Sequence, residues 1–242
     1  MTGNNTQRLV SRRSFIKGTA GIGGGIAVAS FATSFGMGAA QAAAANDDLA
    51  TIANLAATAE TLAVTFYYSA ITGAKFSVAS DDLAYLRLAM DAEQYHLDIL
   101  GTLGGKSLTQ QFYVPENVLS DADVFVQTGL AAETAFVAAY LAATRRIAEL
   151  GNGKLAATTA QHACNEAVHL SLIRDIAGLA PNDLALPAAI YYNVSDAVPT
   201  LAPFLKGGKG FIGPVSYPTK DQFNAALAGV KANHTPAYAT LY

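Results

Sequence analysis

Four stretches of the chain bring apolar residues back every three to four positions over more than twenty residues each. This period predicts four long helices, and local signals set their ends. The first runs from about Asp47 to Thr72 and stops at Gly73. The second follows Ser80, an N-cap residue with Asp81 and Asp82 in the first turn, and ends near Gly104. The third starts after Ser120 and ends at Gly151. The fourth covers about Lys154 to Leu179, with Pro181 just beyond.

The connections fix the topology. About eight residues join the first pair of helices and about three join the second pair, so each pair forms an antiparallel hairpin. Between the hairpins lies "GKSLTQQFYVPENVLS", sixteen residues with a proline and no strong periodicity. Extended, it reaches about 50 Å, more than the ~38 Å of a 25-residue helix, so it can run the length of the bundle. The expected fold is an all-α four-helix bundle over 47–180. Residues 181–242 are rich in Pro, Gly and aromatics and form an irregular extension, with one short helix starting at Thr219 and Gln222 placed for a capping box. This tail is expected to pack on the bundle or to form a homo-oligomer interface.

Residues 1–42 read as an address. "SRRSFIK" precedes an uncharged Gly/Ala-rich run and then "AQA", the pattern of a twin-arginine signal with small residues before the cleavage site. Cleavage is expected after Ala42, delivering the protein through the twin-arginine translocase to the periplasm or the exterior. Removal of Arg8, Arg12, Arg13 and Lys17 takes the net charge from −3 to −7. With no basic patch, nucleic acid is not an expected partner. The single cysteine, Cys164, allows neither an intrachain disulfide nor a thiolate metal cluster, and is expected to be a small packing residue.

Chemistry enters with "EQYH" in the second helix and "EAVH" in the fourth. Each sets a glutamate and a histidine one turn apart on one face: Glu93 with His96, and Glu166 with His169. The first and third helices each carry one mid-helix glutamate within "AET", Glu60 and Glu133. Glu60 to Glu93 is 33 residues, as is Glu133 to Glu166, and a tyrosine follows each "AET" glutamate by seven residues (Tyr67, Tyr140). Each 33-residue pair is centred on or near its hairpin turn, so all four glutamates meet near mid-bundle.

Buried and unpaired, such groups would cost several kcal/mol each. Two divalent ions would neutralise four carboxylates, and oxygen donors with imidazole suit iron or manganese. The candidate metal ligands are Glu60, Glu93, His96, Glu133, Glu166 and His169. Tyr67 and Tyr140 are candidate neighbours of the metals or ordinary core tyrosines. His162 is expected to be an outer neighbour or a core residue, and His234 a surface residue. Tyr95 is expected to lie outside the site. Asp91, Asp98 and Asp175 are candidate hydrogen-bond partners of the two ligating histidines.

The two glutamates and two Glu-x-x-His motifs, on hairpins joined by a long crossover, resemble exported ferritin-like domain proteins, a group that includes relatives of plant desiccation-related proteins. The resemblance covers about 47–180, and more weakly "GPVSYPT" in the tail. It implies a ferritin-like bundle with a dinuclear metal centre. Two functions follow as expectations. One is an oxidoreductase acting with O2 or peroxide, ferroxidase-like or catalase-like. The other is a stress-protective protein that keeps metal for structure, without turnover.

Overall fold

A computed structural model describes residues 46–242; the expected signal segment and its cleavage point lie outside them. Two helical hairpins build the bundle: α1 (Leu49–Gly73) with α2 (Ser80–Thr102), and α3 (Ala122–Glu149) with α4 (Gly153–Ile176). Asp48 caps α1 through its carboxylate, which accepts from the Thr51 amide at 2.7 Å. Two caps differ from expectation. Ser80 is the first residue of α2, and its N-cap, Ala79, makes no side-chain bond. Asp121, not Ser120, caps α3, and its carboxylate takes the amides of Asp123 and Val124. A carboxylate one residue closer to the helix reaches both orphan donors and also favours the positive end of the helix dipole.

The turn between α3 and α4 is tight because Gly151 adopts φ +79°, which ends α3, while the Asn152 side chain accepts from the Leu155 amide to start α4. Within α1, the buried hydroxyls of Thr58, Thr61 and Thr65 each donate to the carbonyl four residues back. A helix that is apolar over most of its surface thereby carries polar residues into the core without leaving them unpaired.

Apolar clusters pack at both ends of the bundle. Phe66, Leu86, Phe125 and Ile173 anchor one end, and Ile52, Ala142, Ile147 and Ala156 the other. Between them lies a polar layer.

The crossover is not wholly irregular. Its segment β1 (Gln111–Pro115) pairs antiparallel with β2 (Phe211–Ser216) of the tail, with Phe112 opposite Val215 and Val114 opposite Ile212. Phe112 and Val114 point inward and are buried, so a short ribbon seals one flank. The rest of the tail wraps the bundle. A 3-10 turn (Val194–Ala197) and α5 (Val198–Lys206) lie over the α1/α3 face, where Leu201 and Phe204 meet Leu62, Ala63 and Phe136. Helix α6 (Lys220–Leu227), capped by Thr219 with Gln222, packs on α1 and α2, and α7 (Tyr238–Leu241) on α4.

Candidate metal centre

Each helix of the bundle delivers one glutamate to the polar layer, and all four are buried. The two histidines one turn further along α2 and α4 are buried beside them. Nδ1 of His96 lies 3.1 Å from Oε2 of Glu93, 3.0 Å from Oε1 of Glu166 and 3.6 Å from Oε1 of Glu60. Nδ1 of His169 lies 2.9 Å from Oε1 of Glu93 and 3.2 Å from Oε2 of Glu166. Glu93 and Glu166 therefore each set one oxygen at either histidine. Two overlapping ligand groups result, Glu60/Glu93/His96/Glu166 and Glu93/Glu133/Glu166/His169, each with its donor atoms within 4.8 Å of one another. The structure brings all six sequence-predicted residues together.

The tyrosines cross between helices. Tyr67 on α1 donates to Oε1 of Glu133 on α3, and Tyr140 on α3 donates to Oε1 of Glu60 on α1. Each thus fixes the other helix's terminal carboxylate, a role that the shared seven-residue spacing hinted at without naming the partner. The second oxygens, Glu60 Oε2 and Glu133 Oε2, are buried without any hydrogen bond, while Glu93 Oε1 and Glu166 Oε1 have only the His169 and His96 imidazoles beside them. An unsatisfied buried acceptor costs about 1–3 kcal/mol, more when charged, so two in one layer of four carboxylates point to a missing cationic partner.

The electrostatics agree. Burial, followed by the charges of Glu166 and Glu93, holds the Glu60 carboxyl well above the usual range; burial and Glu93 do the same for Glu133. Burial also opposes the charge on Glu93, but the His169 and His96 imidazoles outweigh it and pull that carboxyl down. The imidazolium forms of His96 and His169 are disfavoured by burial, yet Glu60 and Glu166 around the first, and Glu93 around the second, raise both well above the ordinary value. Without metal, the cluster keeps protons in place of cations.

A model of the ferritin-like domain matches residues 48–179, more than half of the chain. The chain belongs to the ferritin-like domain family. Neither the curated proteins nor the solved structures contain a significant match to it. The matched segment of this ferritin-like chain contains all four helices and all six clustered residues.

The surroundings of the cluster depart from expectation in several places. Asp91 is engaged by the Ala232 amide and by Nε2 of His234, and Asp98 by Gln94, so neither serves a clustered histidine. Asp175 sits in the last turn of α4, six residues beyond His169 and about 9 Å along the axis. His162 is buried, stacked on Tyr140 at 5.0 Å and next to His96 at 4.5 Å between ring centroids. Burial, then the neighbouring His96, pushes its pKa down to about 4. His234 is not a bare surface residue: besides pairing with Asp91 it stacks on Tyr95 at 4.3 Å. Cys164 is exposed and does not fill the core. Two residues from both His162 and Glu166, it lies about 160° round α4 from the clustered face.

Proposed function

We propose that this ferritin-like chain is an exported oxidoreductase whose cluster holds two iron or manganese ions and acts with O2 or peroxide. The observation that supports it best is the double placement of Glu93 and Glu166, one oxygen at each histidine, which is what two adjacent ions sharing bridging carboxylates require. The donor set fits such ions: four carboxylates balance their charge, and the orphaned oxygens of Glu60 and Glu133 gain partners. Glu60 and His96 would complete one ion, Glu133 and His169 the other.

When bound, the pair supplies one-electron steps on each ion and Lewis acidity toward an oxygen substrate. The protein's own part lies in placement. Tyr67 and Tyr140 each hold one oxygen of Glu133 and Glu60, which orients these carboxylates and leaves their second oxygens without a protein partner. The apolar clusters above and below exclude bulk water and strengthen each charge interaction within the layer. Export by the twin-arginine route is supported by the "SRR" segment, and that route carries folded passengers, in keeping with metal loading before export.

Elemental analysis of the purified protein tests the reading. About two equivalents of iron or manganese are expected in the wild type. Glu93→Ala, which removes a shared ligand, should lose both ions, whereas Glu60→Ala should keep about one. Turnover of Fe(II) or hydrogen peroxide should fall with the metal. Metal-free wild-type protein would sink the proposal. Two bound ions that raise the melting temperature but support no turnover would make the site structural, as in a stress-protective protein.

A further inference from the structure

The two faces of the bundle are closed to different degrees. Over α1 and α3 the tail leaves only small cavities, of about 30, 20 and 10 Å³. The smallest is the one that touches Glu133. It has room for about one water-sized molecule, and Leu62, Phe66, Phe136 and Phe204 close round it. A divalent ion arrives with a shell of waters, which such a cavity cannot pass.

Between α2 and α4 a cleft of about 660 Å³ leads in from the surface. Of the six clustered residues, His96 is the one in its lining, and at 6% it is also the most exposed of them. About half of the lining is polar, Gln161, Asn165, Asn233 and Thr235 included, and it contains no Lys or Arg. Walls of this kind admit a solute that keeps its water. Nδ1 of His96 sits against Glu93 and Glu166, at 3.1 and 3.0 Å, so charge on that ring is balanced from within the cluster. The tail shapes the mouth. Residues 232–237 are strapped to α2 by Asp91, which takes the Ala232 amide and Nε2 of His234, and by the Tyr95 hydroxyl, which donates to the Thr235 carbonyl. Gln161 ties the same strap to α4 by accepting from the Tyr238 amide at 2.7 Å.

We propose that the α2/α4 cleft is the entrance through which hydrated divalent cations reach the cluster, and that they meet the His96 position before the His169 position. The order follows from the lining, which contains His96 and not His169. The two rings lie 6.2 Å apart between centroids, and Glu93 and Glu166 reach both, so an ion passes from the first histidine to the second along shared carboxylates. What passes through the entrance rests on the metal reading above; the route itself does not.

Thiol accessibility tests the route without metal. In a Cys164→Ser background of the full chain, the thiol introduced by His96→Cys or by His169→Cys is timed in its reaction with a small cation, (2-trimethylammonium)ethyl methanethiosulfonate. The His96→Cys thiol should react at least about tenfold faster than the His169→Cys thiol, because a thiol reacts where the reagent can reach it. Asn165 is half-buried in the α4 wall of the cleft, one residue before Glu166. Asn165→Trp should narrow the cleft and slow the His96→Cys reaction about tenfold, whereas Ala139→Leu, on the α1/α3 face, should leave it unchanged. Equal rates at the two positions, or a rate indifferent to Asn165→Trp, would overturn the proposal.

Uptake of Co(II) by protein that keeps all six clustered residues repeats the test without touching them. Asn165→Trp should slow uptake about tenfold, since entry then waits on opening of the cleft, and should leave the final metal content at the wild-type value. Uptake at the wild-type rate would overturn the proposal even where the cysteine variants fail to fold. No uptake by any form, with the His96→Cys thiol still the faster to react, would keep the route and sink the metal reading.

Discussion

Glu93 and Glu166 differ from Glu60 and Glu133 in what they touch: the first pair reaches both histidines, while each of the second pair is held by a tyrosine from the opposite hairpin. The difference has a consequence for protons. In the metal-free cluster, the surrounding carboxylates hold His96 and His169 in their protonated forms well above the usual imidazole range, despite burial. A metal ligand must be unprotonated, so loading expels these protons together with any held on Glu60 and Glu133. The metal-free state binds more protons than the loaded one. Acid therefore favours the empty site, and affinity rises with pH until the raised imidazole pKa values are passed. Calorimetric titration with Mn(II) in buffers of different ionisation enthalpy is expected to show this release. Glu93→Gln, which removes the main charge raising His169, should reduce it.

At the scale of single elements, helix ends decided by one residue give a direct check. Asp121 accepts from two amides at the start of α3, whereas the Ser120 hydroxyl faces only Asn117. Asp121→Ala is expected to lower stability by about 1 kcal/mol, and Ser120→Ala by less than about 0.5 kcal/mol. Chemical denaturation of the two variants should separate the caps, and equal losses would reject this assignment. The ribbon of β1 and β2 shows what a single element cannot reveal. "QFYVP" has too short an alternation to announce a strand, and its partner lies about a hundred residues away in the tail. Such a pair forms only because Phe112 has a buried site between the bundle and Phe204.

Across the whole molecule, the layer of four buried carboxylates lies as a polar seam between two well-packed apolar ends, and ions that bind only the folded state would offset its cost. Free ion at a hundred times its dissociation constant is worth about 2.7 kcal/mol. Chelation is therefore expected to lower the melting temperature of the loaded protein by several degrees, and restored Mn(II) or Fe(II) to recover it. A melting temperature indifferent to chelator would mean that the seam is stable without metal. The sequence alone determined much of this molecule. Apolar period and turn residues specify four helices and two hairpins, because those signals act within a few residues. The six clustered positions were equally legible, because one turn of helix sets Glu93 beside His96 and Glu166 beside His169, and the 33-residue repeat sets equal heights. Only the tertiary structure decided which carboxylates are shared, that each tyrosine serves the opposite helix, that His162 retains an unpaired nitrogen, and that the tail seals one face while walling a cleft on the other. These depend on distances between segments far apart in the chain. The balance of burial and pairing across those contacts is set by the packed whole, and no local period encodes it.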